Sequence, residues 1–516
     1  MFDTTNLRSN PSSSLDVLDR VAIAYIVLPL LIFLVGWLAV WAALPLVGCV
    51  VYSLRSLFVA PPAMARFPVT PLQITVAVFV GCAWTVFGGT EHLFFANSDW
   101  HMRDAILHDL VVSPWPVGYG ELDGKEILLR APIGYYMPAA LIGKWVGLAG
   151  AHWAMSAWTA IGAIAFLLQV LSLTPSRPST AVCVALVLVF FSGFDIVGGI
   201  ISVPRFVATW DIARNLEWWA GSYVYPSMTS QLFWAPNHSL AGWLTIGLLC
   251  RNSDRTQVDA ILPIVVIAVV LWSPLAALGV APFVVWKAVA GVVRDRSWSV
   301  ADPRAWAPAL LVGIVICAYL TLDIGRIPKS LGVAVDGYAN LWSDLLRQAQ
   351  FFLLEAGLIG FAVLAIMRSS QVVLALGILA LLPLVNFGSA NDFVMRVSIP
   401  SLAVLAIACC LALTRPSQDL RAVRKKWVLG GMLVVGAMTP FQEFARAIVV
   451  PAWPINLQAT LIGANCGGYP EHYVVRLADQ AITHLLRPPH NLPLGIPSKQ
   501  ACDNPAVYLL WKRGLP

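Results

Sequence analysis

Long apolar runs recur along the whole chain, and short polar segments separate them. A helix needs about 20 apolar residues to cross the roughly 30 Å hydrocarbon core of a bilayer. Measured against that length, the runs predict about 13 membrane-spanning helices. Their ranges are 21–54 (a hairpin of two spans, interrupted at Gly36 and Trp37), 72–89, 151–173, 181–203, 240–250, 260–293 (two spans), 307–322, 351–367, 372–387, 399–413 and 428–449.

The composition agrees with this pattern. Of the 516 residues, 59% are apolar and only 12% are charged, and the mean hydropathy is +0.76. Soluble domains carry about 25% charged residues, so half of the usual charge is missing. The apolar excess excludes a disordered chain, a collagen and a small disulfide-stapled scaffold. The predicted fold class is an all-α polytopic membrane protein.

Basic residues predict the orientation of the spans. The segment 55–66 carries two Arg and no acidic residue, and the segment 415–427 carries Arg421, Arg424, Lys425 and Lys426. Cytoplasmic loops are enriched in Lys and Arg, so both segments are expected in the cytoplasm. The N-terminus is then cytoplasmic and the C-terminus extracytoplasmic. We expect a transmembrane domain over 1–450, with its first outer loop at 91–150, and a small extracytoplasmic region over 451–516. Within that loop, the apolar segment 132–147, which contains Lys144, is expected to lie along the membrane interface, separate from the span 151–173.

Ionisable residues gather in this first outer loop. Asp99, His101, Arg103 and Asp104 follow the third span closely. Ionisable groups at a membrane face are costly to hold and so are functional candidates. Asp99 could accept a proton from a substrate hydroxyl, with Asp104 as a second catalytic candidate and His101 and Arg103 as substrate-binding ones. A solvated interface helix is the plain alternative, and Asp99, His101 and Asp104 could also hold a divalent metal, although their spacing is not diagnostic.

Further substrate-binding candidates lie later in the first outer loop and in the other predicted outer segments. Arg396 is the first choice for a phosphate because a guanidinium presents a planar fork that matches phosphate oxygens. Asn237 could bind a sugar ring or could simply cap a helix. The Arg residues could equally anchor the chain at the headgroups, and the aromatic ones could do the same. The set is Arg130, Tyr135, Tyr136, Arg205, Trp234, Asn237, His238, Asn391, Asp392 and Arg396.

Two cysteines stand in polar surroundings. Seven of the nine lie in or beside apolar runs, whereas Cys466 and Cys502 fall in the tail predicted to be extracytoplasmic. They could form a disulfide in an oxidising compartment, and two free thiols are the alternative. No Walker A, Rossmann, CxxC or HExxH motif is present, which leaves nucleotide-driven and zinc-peptidase functions without support.

The first 180 residues resemble a known superfamily. An acidic residue, Asp99, follows an early span, and then comes the segment RAPIGYYMPAALIGKWVG at 130–147, before a span that ends in a basic turn. This pattern resembles the GT-C superfamily of membrane glycosyltransferases and is most similar to the aminoarabinose and protein mannosyl transferase type. The interface helix of that type commonly opens with Pro-Pro-Leu-Tyr-Tyr and closes with Lys-x-x-Gly. Asp99 stands alone here instead of in an acidic pair, and Ala131-Pro132 replaces Pro-Pro.

The resemblance implies an enzyme of a bacterial inner membrane. It would take a sugar from a polyprenyl-phosphate donor and pass it, with inversion, to a glycan, lipid or protein acceptor on the outer face, using Asp99 as the base. The resemblance requires no cofactor beyond the donor, although a divalent metal could take part. No nucleic acid is expected as a partner. The departures from the family pattern leave the sugar and the acceptor open. Two other classes stay open as well: a transporter or flippase for lipid-linked glycans, and an O-antigen-ligase-like transferase that uses a His such as His238, His472 or His490.

Overall fold

The computed structural model describes residues 15–59, 69–122, 124–203, 211–212, 215–253, 256–323, 325, 329–330, 341–387, 391–466, 468, 470, 472–477 and 482–492. Within them, α-helices form a bundle. The helices of the first half are α1 (Val17–Trp37), α2 (Val40–Ser53), α3 (Arg55–Val59), α4 (Pro71–Phe87), α5 (Trp100–Val112), α6 (Met137–Leu171), α7 (Pro178–Phe190), α8 (Asp195–Ser202), α9 (Met228–Trp234) and α10 (Pro236–Arg251).

The second half of the chain continues the bundle. Its helices are α11 (Leu262–Trp272), α12 (Pro274–Asp295), α13 (Pro303–Leu320), α14 (Leu341–Phe352), α15 (Leu358–Ile366), α16 (Ser370–Leu381), α17 (Asp392–Val397), α18 (Ile399–Thr414), α19 (Leu420–Gly436), α20 (Met438–Val449) and α21 (Leu461–Ala464). A π-helical turn, Leu353–Gly357, joins α14 to α15. Every residue of α10 is buried, so this helix lies at the centre of the bundle.

The described helices include many that could cross a membrane. Eight stretches are long and apolar enough by length and composition, and four further apolar helices are shorter. The prediction of a helical, multi-pass membrane protein is confirmed, whereas the count of 13 spans stays a prediction. The eight are Val17–Trp37, Met137–Leu171, Pro178–Ser202, Pro274–Arg294, Pro303–Leu320, Trp342–Ile366, Asp392–Thr414 and Leu420–Val449.

Local sequence signals explain where several helices begin. Thr70 caps α4 through a reciprocal pair of hydrogen bonds with Gln73, and Pro71 occupies the first turn, where its missing N–H costs nothing. Ser273 caps α12 through one hydrogen bond, which its side chain accepts from the backbone N–H of Ala276.

Helix α6 contains the break that the sequence predicted. Its 35 residues would span about 52 Å if straight, well beyond the thickness of a hydrocarbon core. Gly147 interrupts the helix with a φ of +82°, a backbone conformation that glycine adopts without steric cost. The segment before Gly147 is thus separate from the long helix after it, as expected. A location of that segment along the membrane interface stays a prediction.

A small β-sheet departs from the all-α prediction. Four strands stand in the order β5 (Val474–Arg476), β2 (Lys125–Leu129), β1 (Val117–Leu122), β6 (His490–Asn491). The sheet joins the first outer loop to the C-terminal tail, with β1 and β6 parallel and the other pairs antiparallel. The strands are short, and the pairs that join the first outer loop to the tail, β2 with β5 and β1 with β6, are more than 300 residues apart in sequence. We call this end of the bundle the sheet end. A second pair, β3 (Lys329–Ser330) and β4 (Asn386–Phe387), is antiparallel.

The tail also holds the α1–α2 hairpin at the sheet end. The backbone N–H of Arg487 donates to the carbonyl of Trp37, and its guanidinium donates to the carbonyls of Leu38 and Val35. These are orphan acceptors at a helix end, which a cationic side chain satisfies well. The tail is therefore bound to both the first helices and the first outer loop.

An ion triad closes the opposite end of α1. Arg251, at the end of α10, is fully buried and contacts the carboxylates of Asp16 and Asp19, with 2.8 Å between its Nε and Asp19 Oδ1. It also donates to the hydroxyl of Ser172, which follows α6. A buried guanidinium needs this full set of partners, so the triad holds three helices together.

Replacing one carboxylate of the triad tests its role. We expect Asp19→Asn to lower the free energy of unfolding by about 3 kcal/mol, because Arg251 keeps its charge and loses one buried anionic partner. Asp419→Asn is the matched control, since Asp419 is an exposed helix cap that asparagine replaces well. Denaturant or thermal unfolding in detergent measures both variants. Equal stability of the two would contradict a stabilising role for the triad.

Candidate functional site

The polypeptide that follows α4 is fixed by three hydrogen bonds at the sheet end. Asn97 Nδ2 and Trp100 Nε1 both donate to the carbonyl of Phe233, at 2.8 and 3.0 Å, and thus attach the start of α5 to α9. Trp453 Nε1, from the tail, donates to the carbonyl of Ala96 at 2.8 Å. The residues at the start of α5 are therefore held by both the bundle and the tail.

Asp99 stands at the N-cap of α5 beside a buried guanidinium. The Asp99 side chain is about half exposed (51%), whereas that of Arg103 is 9% exposed, and their charged atoms lie 3.5 Å apart. Arg103 also lies against the Trp100 ring, 5.6 Å from its centroid. Neither Nε nor Nη1 of Arg103 has a hydrogen-bond partner among the described residues. The guanidinium thus keeps donors for an anion, next to a carboxylate that solvent and substrate can reach.

Behind Arg103, Asp104 is buried between two histidines. His92 Nε2 lies 3.0 Å from Asp104 Oδ2, and His152 Nδ1 lies 3.8 Å from Asp104 Oδ1. The other nitrogen of His92, Nδ1, stands 2.9 Å from the carbonyl of Trp453. A carbonyl can only accept, so Nδ1 carries a proton, and a second proton must stand between Nε2 and the carboxylate. The geometry fits a hydrogen bond between His92 Nε2 and Asp104 Oδ2 with one shared proton, which makes the pair neutral overall.

Unsatisfied polar atoms are concentrated around these residues. Buried polar atoms in proteins nearly always have hydrogen-bond partners. Among the described residues, 22 buried side-chain atoms lack a hydrogen bond of standard geometry, and eight of them belong to five residues that we call the polar cluster. Two of these eight, His92 Nε2 and Asp104 Oδ2, face each other at 3.0 Å. The cluster is Glu91, His92, Arg103, Asp104 and His152. Such a concentration marks a place where water or a ligand completes the hydrogen bonding.

Two buried tyrosines stand next to the polar cluster. Burial raises the pKa of both Tyr135 and Tyr136, and the charge of Arg103 partly offsets this effect. Both phenols are therefore neutral and can donate hydrogen bonds. Tyr135 is also fixed by a 2.6 Å hydrogen bond between its hydroxyl and that of Thr159. A third tyrosine, Tyr473 of the tail, lies within electrostatic range of Arg103.

A second group of predicted residues faces Arg103 from α10 and α17. His238 Nδ1 lies 2.8 Å from the hydroxyl of Ser273, and Nε2 lies 3.2 Å from Asn237 Nδ2. Arg103 and Arg396 both lie within electrostatic range of His238. Arg396 is 2.8 Å from Asp392 in an i,i+4 ion pair, and Asn391, with a φ of +51°, precedes this turn. Residues far apart in sequence are thus brought to one region.

Other predicted site residues have partners elsewhere. Trp234 Nε1 donates to Glu443 at 3.0 Å, and Arg446 lies over its ring. Arg130 donates to the carbonyl of Leu320 at the end of α13. The ring of His101 packs against Trp453, with 4.1 Å between centroids. These contacts are enough to explain the three residues structurally.

Two of the predicted residues lie outside the described ones. Arg205 is one of them, and Cys502 is the other. Cys466 is described and has a φ of +54°. The disulfide between Cys466 and Cys502 stays a prediction.

Three irregular helices meet at another buried polar group, which the sequence did not reveal. Asp195 follows the break between α7 and α8, Glu355 lies in the π-helical turn, and Thr439 follows the break between α19 and α20. Asp195 Oδ2 accepts hydrogen bonds from Ser192 (2.9 Å) and Thr439 (2.8 Å), and Glu355 accepts one from Trp219 (2.8 Å). These contacts explain why predicted spans 181–203, 351–367 and 428–449 are interrupted, since polar side chains and π-turns distort helices.

The predicted site residues do not include Glu91, His92, His152, Trp453 or Tyr473. His152 is one of two titratable residues, with Lys144, inside the apolar run 137–171, which is a signal that could have identified it. Trp453 and Tyr473 come from the tail, and the sequence holds no signal for their return to the first outer loop. Among the described stretches, no set of three or more His, Cys, Asp or Glu side chains is arranged to hold a metal ion.

Comparison with known proteins adds no relative: the chain matches no family model, no curated protein and no solved structure. The fold and the site define a multi-pass helical membrane protein with a charged, incompletely hydrogen-bonded site at its sheet end.

Asp109 is expected to hold the tail against α5. Its buried carboxylate accepts hydrogen bonds from Tyr119 (2.8 Å) and from the backbone N–H of Leu461 (2.9 Å), and it lies 2.8 Å from His108 Nδ1. In Asp109→Ala, these donors lose a buried acceptor, which costs about 1–3 kcal/mol per group. We expect faster hydrogen exchange of the Leu461 amide than in the Asp419→Asn control. Exchange at the wild-type rate would show that the carboxylate does not hold this segment.

Glu91 is expected to make stability depend on pH. Burial raises its pKa from 4.5 to about 7. Between these values, the unfolded chain loses the Glu91 proton while the folded one retains it, so stability falls as pH rises through this range. Glu91→Gln removes this contribution. The melting temperature of the variant, relative to wild type, should therefore rise from pH 5 to 7 and then level off.

Glu121→Gln serves as the control for this experiment. Glu121 is exposed on β1, so its replacement should not reproduce the rise in relative melting temperature between pH 5 and 7. A pH-independent difference between Glu91→Gln and wild type would contradict the raised pKa.

Proposed function

We propose that this protein is a membrane glycosyltransferase of the GT-C type. It moves a sugar from a polyprenyl-phosphate donor to a hydroxyl group of an acceptor on the extracytoplasmic face. The observation that carries the proposal is the pair at the start of α5: an exposed carboxylate, Asp99, beside a buried guanidinium, Arg103, with unused donors. Such a pair suits a reaction at the membrane surface that needs a general base and a cationic group that binds phosphate.

The proposed topology has 13 spans and places the sheet end outside. The eight long stretches, the four shorter apolar helices and the buried α10 supply the spans. The basic segment with Arg421, Arg424 and Lys425 lies at the opposite end, where Lys425 reaches the carbonyl of Ala365. Positive charge at cytoplasmic ends supports this orientation in a bacterial inner membrane, with the N-terminus inside and the tail outside.

In the proposed reaction, Asp99 removes the proton of the acceptor hydroxyl. The oxygen forms a bond to the anomeric carbon of the sugar from the face opposite the leaving group, so the configuration inverts. The bond from that carbon to the phosphate oxygen breaks, and its electron pair stays with the polyprenyl phosphate. Arg103 stabilises the negative charge that grows on the phosphate, and the transfer needs no acid for this leaving group. Tyr136 can donate a further hydrogen bond, whereas Tyr135 donates to Thr159, whose own hydroxyl donates to the carbonyl of Met155.

A His-based transfer at His238 is less favoured by the geometry. Both ring nitrogens of His238 are within hydrogen-bonding distance of a neighbouring side chain, Ser273 or Asn237. A base needs a nitrogen that can reach the substrate. Asp99, in contrast, is half exposed and has a charged partner on one side alone.

Turnover of lipid-linked sugars by purified variants tests the proposal. We expect wild type to consume one polyprenyl-phosphate sugar of a panel, and Asp99→Asn to lose a factor of 10² to 10⁴ in kcat while binding the donor within a few-fold, since proton removal contributes about that much. Ser98→Ala, at the exposed neighbouring position, is the control and should keep wild-type turnover. Normal turnover by Asp99→Asn would contradict the assigned base, and transport of the lipid across vesicles without transfer would favour a flippase.

A further inference from the structure

The polar cluster has more hydrogen-bonding capacity than its own side chains use. Among the described residues, both oxygens of Glu91, Asp104 Oδ1 and His152 Nδ1 lack a hydrogen-bond partner, whereas Asp104 Oδ2 contacts His92 Nε2 at 3.0 Å. Asp104 and His152 are each 3% exposed, so water outside the protein does not solvate them freely. Most of these unsatisfied atoms are acceptors. A ligand that fills this place must therefore be rich in hydrogen-bond donors.

The charges of the cluster cancel in pairs. Asp99 faces Arg103, and Asp104 faces His92, whose second nitrogen is held by the carbonyl of Trp453. Glu91 retains its proton on about half of the molecules at neutral pH because burial raises its pKa to about 7. A cationic ligand would need a net negative site, because a buried unpaired charge is costly. The balance favours a neutral ligand with several hydroxyl groups.

The polar cluster lies at the residue that is proposed to bind the donor phosphate. Arg103 belongs to the cluster, and Asp104 is the next residue on the same helix. Tyr135 lies within electrostatic range of Glu91, Arg103 and Asp104. A group attached to a phosphate at Arg103 would therefore reach Glu91 and Asp104. In the donor of the proposed reaction, that group is the sugar.

We infer that Glu91, Asp104 and His152 form a subsite that binds the hydroxyl groups of an uncharged sugar, the unit to be transferred. The inference rests on the proposed function. Asp104 accepts hydrogen bonds from the sugar while His92, fixed by the tail, supports its charge. His152 Nδ1 and the carboxyl group of Glu91 contact further hydroxyls. The subsite thus selects the sugar, and Arg103 holds the phosphate that all donors share.

Binding measurements without acceptor test the subsite, because no transfer then takes place. The probes are a ten-carbon prenyl phosphate, free or esterified with mannose, glucose, arabinofuranose or a pentose that bears an amino group. For each protein, the ratio of the Kd of the free phosphate to the Kd of an ester reports the contribution of the sugar alone. We expect a ratio of at least about 10 for one uncharged sugar on wild type, the strength of one or two hydrogen bonds to a charged group.

The variants separate the sugar from the phosphate. Asp104→Asn should bring this ratio close to 1 and Glu91→Gln should lower it several-fold, while both keep the wild-type Kd for free prenyl phosphate. Glu121→Gln is the control and should leave both quantities unchanged. Arg103→Gln should weaken the free phosphate and the esters together. Melting temperatures confirm that each variant is folded, and Glu91→Gln decides the matter if Asp104→Asn does not fold.

Each outcome either supports or overturns the subsite. A ratio of 1 for every ester on wild type, as expected if water alone fills the cluster, overturns it. An unchanged ratio in the folded Asp104→Asn and Glu91→Gln variants also overturns the subsite. A preference for the amino pentose overturns it too, because a cationic sugar would contradict the charge balance of the cluster. If free prenyl phosphate fails to bind wild type at all, it is the proposed function that fails.

Discussion

The guanidinium of Arg103, buried at the sheet end of the helical bundle, limits which side chains and ligands can surround it. Burial lowers the pKa of Arg103, but Asp99 and the nearby tyrosines together outweigh this effect, so the guanidinium retains its charge. Yet Asp99 approaches its Nη1 only to 3.5 Å, and neither Nε nor Nη1 has a hydrogen-bond partner among the described residues. An incompletely paired buried charge destabilises a protein unless an anion completes it. The site at the start of α5 therefore makes physical sense as an anion-binding site.

The surrounding structure holds this charge in place from three directions. Asn97 and Trp100 attach the start of α5 to α9. Asp109 attaches the other end of α5 to β1 and to the tail. The tail returns across the sheet end to supply the carbonyl that fixes His92. The rigidity that a reaction at Asp99 needs thus comes partly from neighbouring helices and partly from tail contacts that join residues more than 300 positions apart.

Much of the fold could be predicted from sequence because apolar runs report directly on membrane helices. The break before the long part of α6 was predictable from Gly147 and the segment around it. The sheet was not, since its six- and five-residue strands in the first loop pair with even shorter strands of the tail. The breaks beside Asp195, Glu355 and Thr439 also escaped prediction, because they depend on hydrogen bonds between separate helices.

The site could be predicted in part. Asp99, Arg103 and Asp104 were evident as ionisable residues next to a span, and the structure brings them together with His238 and Arg396. Trp234 and Arg130 are instead engaged by Glu443 and Leu320. His152 and the tail residues Trp453 and Tyr473 escaped because no local pattern marks a residue that completes a site from another part of the chain.

An experimentally determined structure of the protein with bound prenyl phosphate tests the central claim most directly. The account predicts the phosphate within about 3 Å of Arg103 Nε or Nη1, with Asp99 beside it and open to the acceptor. A phosphate held at Arg396 or elsewhere, with the pair of Arg103 and Asp99 unchanged, would contradict it.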